Sequence, residues 1–162
     1  MTQDDPAAIR SHHCPGQATG GPAPVTVVGL DGSPVSWDAF AWAAGEAVRS
    51  NGSLIAEYAT PAVEPGAAFG GPFGYAAAEQ ARQETARLLA AGAAQLASDV
   101  GVPLSFVREP GGVTRALTSI AHSARADLVV VGRSAKTLHR LAGSAGGRLV
   151  SRHDAPVVVV VP

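Results

Sequence analysis

The sequence contains a single cysteine, Cys14. One thiol cannot close an internal disulfide, so a core alone must hold the fold, and a reducing, cytoplasmic setting is expected. Charged residues are also scarce, at 15% against 46% hydrophobic. That balance is the reverse of a disordered chain's and points to a globular protein. Neither sign of charge is in excess. The formal net charge is -1, so the total offers no electrostatic reason for a nucleic-acid partner. Long apolar runs are missing: the longest candidate, Val157 to Val161, is strand-sized, far below the roughly 20 residues that cross a bilayer. The start carries Asp4 and Asp5 where a secretory segment would be basic, and no apolar stretch follows, so no signal peptide is expected.

What is present fits one domain. The chain has 162 residues, enough to bury a substantial core without disulfides. Residues 1–24 are polar and rich in Gly and Pro, and they read as a flexible tail. The ordered domain is expected over 25–162. Val25, Val27, Val28 and Leu30 form a β-branched, apolar run that ends at Asp31-Gly32-Ser33, a strand followed by a turn. Ser33-Pro34 then opens a helix. Trp37, Phe40, Ala41, Ala44 and Val48 mark it down to Asn51-Gly52, where it stops.

A second strand is predicted over Ser53 to Ala59. Residues 61–74, with three Pro, four Gly and two Phe, read as a long irregular loop. A helix over Ala76 to Val100, a strand over Leu104 to Arg108 and a turn at Pro110-Gly111-Gly112 follow. Val113, Ala116, Leu117, Ile120, Ala121 and Ala124 then keep strict helical spacing. The continuous apolar run Leu128 to Val131 suits a parallel strand covered on both faces. A helix over Ser144 to His153 and a last strand over Val157 to Val161 complete the chain.

Strictly alternating strands and helices imply an α/β, doubly wound, five-stranded parallel sheet with helices on both faces. The pattern alone leaves two sheet orders open, 3-2-1-4-5 and 2-1-3-4-5. In the first, strands one and four lie side by side where the order reverses, and ligands sit beyond the strand ends at such a point. Asp31-Gly32-Ser33 and Gly132-Arg133-Ser134 would then share one crevice. The second segment runs on to Gly143-Ser144 at a helix start, where unpaired N–H groups favour phosphate. Ser134 and Ser144 can donate to phosphate oxygens, and Arg133, Lys136, His139 and Arg140 add positive charge. Asp31 suits a ribose hydroxyl or a metal. The plainer alternative is that Gly132 merely ends a strand and Gly143-Ser144 merely caps a helix.

Other signals carry less. His12-His13-Cys14 has the chemistry of metal ligands, but three adjacent residues rarely converge on one ion, so no metal site is expected. Of Trp37 and Trp42, one is expected in the core and the other at an edge or interface. His122 and His153 read as surface or helix-end residues, and Arg148 with Arg152 as a solvated helix face. No Ser-His-Asp or Cys-His arrangement stands out, and Asp31 is the one aspartate at the crevice. The chain is therefore not expected to be an enzyme, a weak ATPase being the nearest enzymatic reading.

Val27 to Ser33 (Val-Val-Gly-Leu-Asp-Gly-Ser), paired with Leu128 to Ser134 (Leu-Val-Val-Val-Gly-Arg-Ser), resembles the universal stress protein family. So does the ending from Gly143 to Val161: Gly-Ser, eight residues, His-Asp-Ala-Pro and a run of Val. The resemblance covers residues 25–162. It implies the sheet order 3-2-1-4-5 and a homodimer formed through Val157 to Val161. Many members bind ATP through Gly, two residues, Gly, nine residues, then Gly-Ser or Gly-Thr. By position, the resemblance places Asp31 near the ribose and Ala59 at the adenine. It assigns Gly132, Arg133, Ser134, Gly143, Ser144 and Ala145 to the phosphate loop. Here Ala135 stands where the second glycine would be, and seven residues, Lys136 to Ala142, precede Gly143. The turn Pro110-Gly111-Gly112 also departs from the family's usual turn.

The function expected is that of a cytoplasmic stress-response regulatory protein, a homodimer that binds ATP, with or without Mg, or another adenine nucleotide. An unidentified protein partner accompanies that role, with no nucleic acid and no membrane. The altered loop motivates the alternative, an interaction module of the same fold that binds no nucleotide.

Overall fold

The computed structural model describes residues 22–60, 71–133 and 156–162, with backbone alone for 71–73. The predicted helix over Ser144 to His153 lies outside these residues, as do His12, His13 and Cys14. Eight elements are described: β1 (Val25–Gly29), α1 (Pro34–Ser50), β2 (Ser53–Thr60), α2 (Gly71–Val100), β3 (Leu104–Pro110), α3 (Val113–Ser123), β4 (Leu128–Gly132) and β5 (Val157–Val161). The strands form one sheet in the order β3-β2-β1-β4-β5, every pair parallel. Of the two orders that alternation leaves open, this is the one that brings β1 and β4 together.

The faces of the sheet follow from strand alternation. Val28, Leu30, Leu54, Ala56 and Val130 point to one side, under α1 and α2. Val27, Val129 and Val131 point to the other, under Leu117, Ile120 and Ala121 of α3. The α1 surface toward the sheet is mostly alanine: Ala39, Ala43, Ala44 and Ala47 around Phe40. Small side chains let α2 come close. A Cβ placed on Gly92 of α2 would stand 3.0 Å from Trp37 Cη2, and Trp37 meets Phe40 edge-on at 5.8 Å. Trp37 thus packs on the core while Trp42 is exposed, the division expected of the pair.

Helix ends follow their signals. The Ser33 hydroxyl accepts from Ser36 N–H at 3.2 Å and caps α1, with Pro34 in the first turn where its missing N–H costs nothing. Asn51, at φ 51°, closes the helix. The boundary that differs is the start of α2. The helix begins at Gly71, inside the stretch predicted as loop. Pro72 does not prevent this, because first-turn N–H groups have no intrahelical partner to lose. β3 also continues to Pro110, beyond Arg108, because β2 runs on to Thr60 and supplies its partner there.

Candidate functional site

β1 and β4 end side by side, and a crevice opens over their carboxyl ends. It has a volume of about 50 Å3 and is lined by residues of β1 and its turn into α1, of β2, of the start of α3 and of β4, among them Gly29, Asp31, Glu57, Ala59, Val113 and Gly132. Of the predicted site residues, Asp31, Ala59 and Gly132 come together here. Arg133 follows Gly132 and is exposed. Its backbone N–H is already committed to the Val161 carbonyl at 2.7 Å, so only its side chain is free to meet a ligand. Ser134, Gly143, Ser144 and Ala145 lie outside the described residues.

The turn after β1 is tightly built. Gly32 takes a φ of 86°, a conformation in which a Cβ would be strained. Asp31 Oδ1 accepts from Ser33 N–H at 2.9 Å, and Ser36 Oγ accepts from Asp31 N–H at 3.3 Å while donating to the Ser33 carbonyl at 2.8 Å. Partial burial works to raise the Asp31 pKa. The hydrogen bonds from Ser33 and Ser36 outweigh it and hold the carboxyl below its ordinary value. Asp31 is therefore an ionised acceptor at neutral pH, held at the mouth of the crevice.

Gly132 is required by packing. A Cβ there would lie 2.6 Å from the Val35 carbonyl oxygen and 2.8 Å from its carbon. The first turn of α1 rests directly on the end of β4. Gly132 therefore ends a strand for a steric reason as well as lining the crevice.

Glu57 is the residue that reading the sequence missed. It sits in β2 between Ala56 and Tyr58, opposite Gly29 of β1 and Val107 of β3. Its relative exposure is 1%, and neither carboxyl oxygen has a hydrogen-bond partner among the described residues. Burial, with Glu109 on β3 as a second cause, pushes its pKa up to about 8. At neutral pH the side chain is mostly a neutral acid. The available signal was the charge itself, lone in the apolar run Leu54-Ile55-Ala56-Glu57-Tyr58-Ala59 of an interior strand.

Among the described residues no group of three or more His, Cys, Asp or Glu side chains is placed to hold a metal. No described helix is long and apolar enough to cross a membrane.

Comparison with known proteins agrees with this architecture. Residues 25–161 match the model of the universal stress protein family. Among solved structures, a universal stress protein in complex with cAMP is 27% identical, with 88% of this chain and 98% of that one covered and a TM-score of 0.58. A protein of the universal stress protein family from Burkholderia pseudomallei is 23% identical, with 86% and 96% covered and a TM-score of 0.63. A universal stress protein family protein from Arabidopsis thaliana with AMP bound is 16% identical, with 85% and 90% covered and a TM-score of 0.58. No curated protein sequence matches the chain. The five-stranded sheet, the paired ends of β1 and β4 and the match over residues 25–161 agree, and the chain belongs to the universal stress protein family.

Proposed function

We propose that this protein is a stress-response regulator that binds an adenine nucleotide in the crevice beyond β1 and β4. The observation that carries the reading is the adjacency of the Asp31 turn and the Gly132 strand end on one crevice. Such a point of reversed strand order is where open α/β sheets take ligands. Asp31 is an ionised acceptor suited to a ribose hydroxyl, and Ala59 offers strand backbone to the base. The 27%-identical universal stress protein in complex with cAMP supports the adenine class.

ATP, with or without Mg, is the fuller form of this ligand. Ser134, Gly143, Ser144 and Ala145 would hold its phosphates through backbone N–H groups and hydroxyls, and Arg133 through its guanidinium. Isothermal titration of the purified chain with ATP, AMP and cAMP tests the assignment, and the absence of heat at millimolar nucleotide overturns it. The protein acts in the cytoplasm as a homodimer joined through β5. Its Val157 side chain is 64% exposed, and its outer edge has no partner strand among the described residues. Pairing with a second copy would satisfy that edge. Sedimentation equilibrium giving only monomer at micromolar concentration rejects the dimer.

Ala135 and the shortened stretch before Gly143 favour a second reading, an interaction module that needs no nucleotide. A protein partner captured equally well with and without nucleotide would support it.

A further inference from the structure

The Glu57 side chain is a buried polar group with no hydrogen-bond partner among the described residues. Leaving a buried polar group unpaired costs free energy, and natural folds rarely do so without a use for it. Several observations locate that use. Alternation along β2 puts Glu57 on the same face as Ile55, which packs under α3 with Val107 and Val113. Gly29 stands beside it in register on β1. Gly29 has only a hydrogen for a side chain, so no side chain of β1 stands between Glu57 and the crevice. A Cβ there would make only ordinary contacts, 3.5 Å from Leu117 Cδ1 and 3.8 Å from Val131 Cγ1. Gly29, Glu57 and Ala59 line the same crevice as Asp31. Glu57 thus lines the cavity with both of its carboxyl oxygens enclosed and unpaired among the described residues.

We propose that Glu57 reads the base of the bound nucleotide, its carboxyl group forming a two-point hydrogen bond with an edge that offers a ring-nitrogen acceptor beside an exocyclic amino donor. This rests on the adenine-nucleotide reading above and deepens it. A protonated carboxyl has one O–H to donate and one C=O to accept. The adenine edge has the matching pair, a ring nitrogen and the 6-amino group. An ionised carboxylate has two acceptors and cannot donate to the ring nitrogen.

The surroundings keep Glu57 in the form that pairs. Glu109 on β3 raises its proton affinity further, and Asp31 beyond β1 is a second negative group at the same crevice. On α3, which covers this face, the charged Arg115 and the titratable His122 are exposed. Arg133 beyond β4 is exposed as well. Among the described residues no cation bonds the Glu57 carboxyl. Binding is therefore coupled to retention of one proton, and it weakens as pH rises past the point where that proton leaves.

Calorimetry on the full chain tests this with AMP and with purine riboside 5′-monophosphate, which lacks the 6-amino group. The wild-type affinity for AMP is expected to fall roughly tenfold between pH 7 and pH 9. Glu57→Gln carries a donor and an acceptor at every pH. It is expected to match the wild type at pH 7 and to lose the pH dependence. Glu57→Leu is expected to bind AMP roughly tenfold more weakly at pH 7, and to no longer distinguish AMP from the analogue. If that variant fails to fold, the wild-type and Gln profiles decide alone. Wild-type AMP binding that is level from pH 7 to pH 9 overturns the role of Glu57 and leaves nucleotide binding standing. So does a folded Leu variant that still prefers AMP over the analogue. Absence of AMP binding in every form overturns both.

Discussion

Replacing Gly132 with alanine separates the two duties of that residue. The added Cβ would lie 2.6 Å from the Val35 oxygen, 2.8 Å from its carbon and 2.9 Å from its Cγ1. Two of those three atoms are backbone, so no rotamer change relieves the contact. The backbone cannot retreat easily either. β4 is hydrogen-bonded to β1 on one side and β5 on the other. Val35 lies in the first turn of α1, which the Ser33 hydroxyl fastens to Ser36 N–H. Overpacking typically costs about 1–3 kcal/mol, and a backbone contact in a doubly paired strand belongs near the upper end. For a domain of this size each kcal/mol moves the melting temperature by roughly 3–4 °C, so Gly132→Ala should lower it by about 10 °C. The assay is thermal unfolding of ligand-free protein followed by circular dichroism, which makes any role in nucleotide binding irrelevant to the result. The control is Gly45→Ala within α1, where the nearest atom is the mobile end of Arg49 at 3.4 Å. It should gain up to about 1 kcal/mol from helix propensity. A Gly132→Ala protein that melts within 2 °C of the wild type, or above it, refutes the packing argument.

Other outcomes follow from the same geometry. Ser33→Ala removes the α1 cap and should cost about 1 kcal/mol in urea unfolding. Glu57→Gln should also change stability in the absence of ligand. The folded-state pKa is raised from 4.5 to about 8, so the native protein binds the extra proton and wild-type stability falls as pH rises through that window. Relative to the wild type, the Gln variant should therefore gain on the order of 4 kcal/mol between pH 5 and pH 8. Parallel denaturant curves at the two pH values would contradict this. The Asp31 carboxyl is held below its ordinary value, so its contribution is present above the unfolded pKa and lost as pH falls through the folded one. Asp31→Asn should flatten that acid arm of the pH–stability profile, and an unchanged arm counts against the Ser33 and Ser36 bonds as its source. Gly92→Ala presses on Trp37 from 3.0 Å and should shift tryptophan fluorescence while lowering stability by about 1–2 kcal/mol. An unchanged emission spectrum would mean α2 has moved away instead.

Much of this architecture was legible because local chemistry and tertiary position agree. Val27, Val28, Val129 and Val130 read as buried parallel strands and are fully buried. Ser33-Pro34 and Asn51-Gly52 mark helix ends through capping chemistry that acts within a few residues. Asp31, Ala59 and Gly132 could be placed together only after the resemblance selected one of two sheet orders, since pairing of β1 with β4 is a long-range event. Two features escaped. The first turn of α2 carries Gly and Pro, whose average preference for loops hides their tolerance at a helix start. Glu57 reads locally as a charged residue, and charged residues usually face water. Its burial arises from α3 closing over the sheet, a relation between segments more than fifty residues apart.

The last strand has a further consequence. β5 is five valines, and they pair with β4 from Leu128↔Val157 to Gly132↔Val161. A homopolymer has no side-chain code for alignment. Sliding it by one or two residues would put valine against the same neighbours, so hydrophobic complementarity cannot choose among the offsets. The choice falls to the ends. Val157 N–H donates to the Asp127 carbonyl at 3.0 Å, and the Val161 carbonyl accepts from Arg133 N–H at 2.7 Å. Pro156 and Pro162 flank the run without an N–H to offer, so a slipped strand forfeits a bond wherever a proline enters the ladder. The strand is thus indexed like a blank ruler, by stops at its two ends, and a Pro156→Ala exchange would loosen one stop without touching the core.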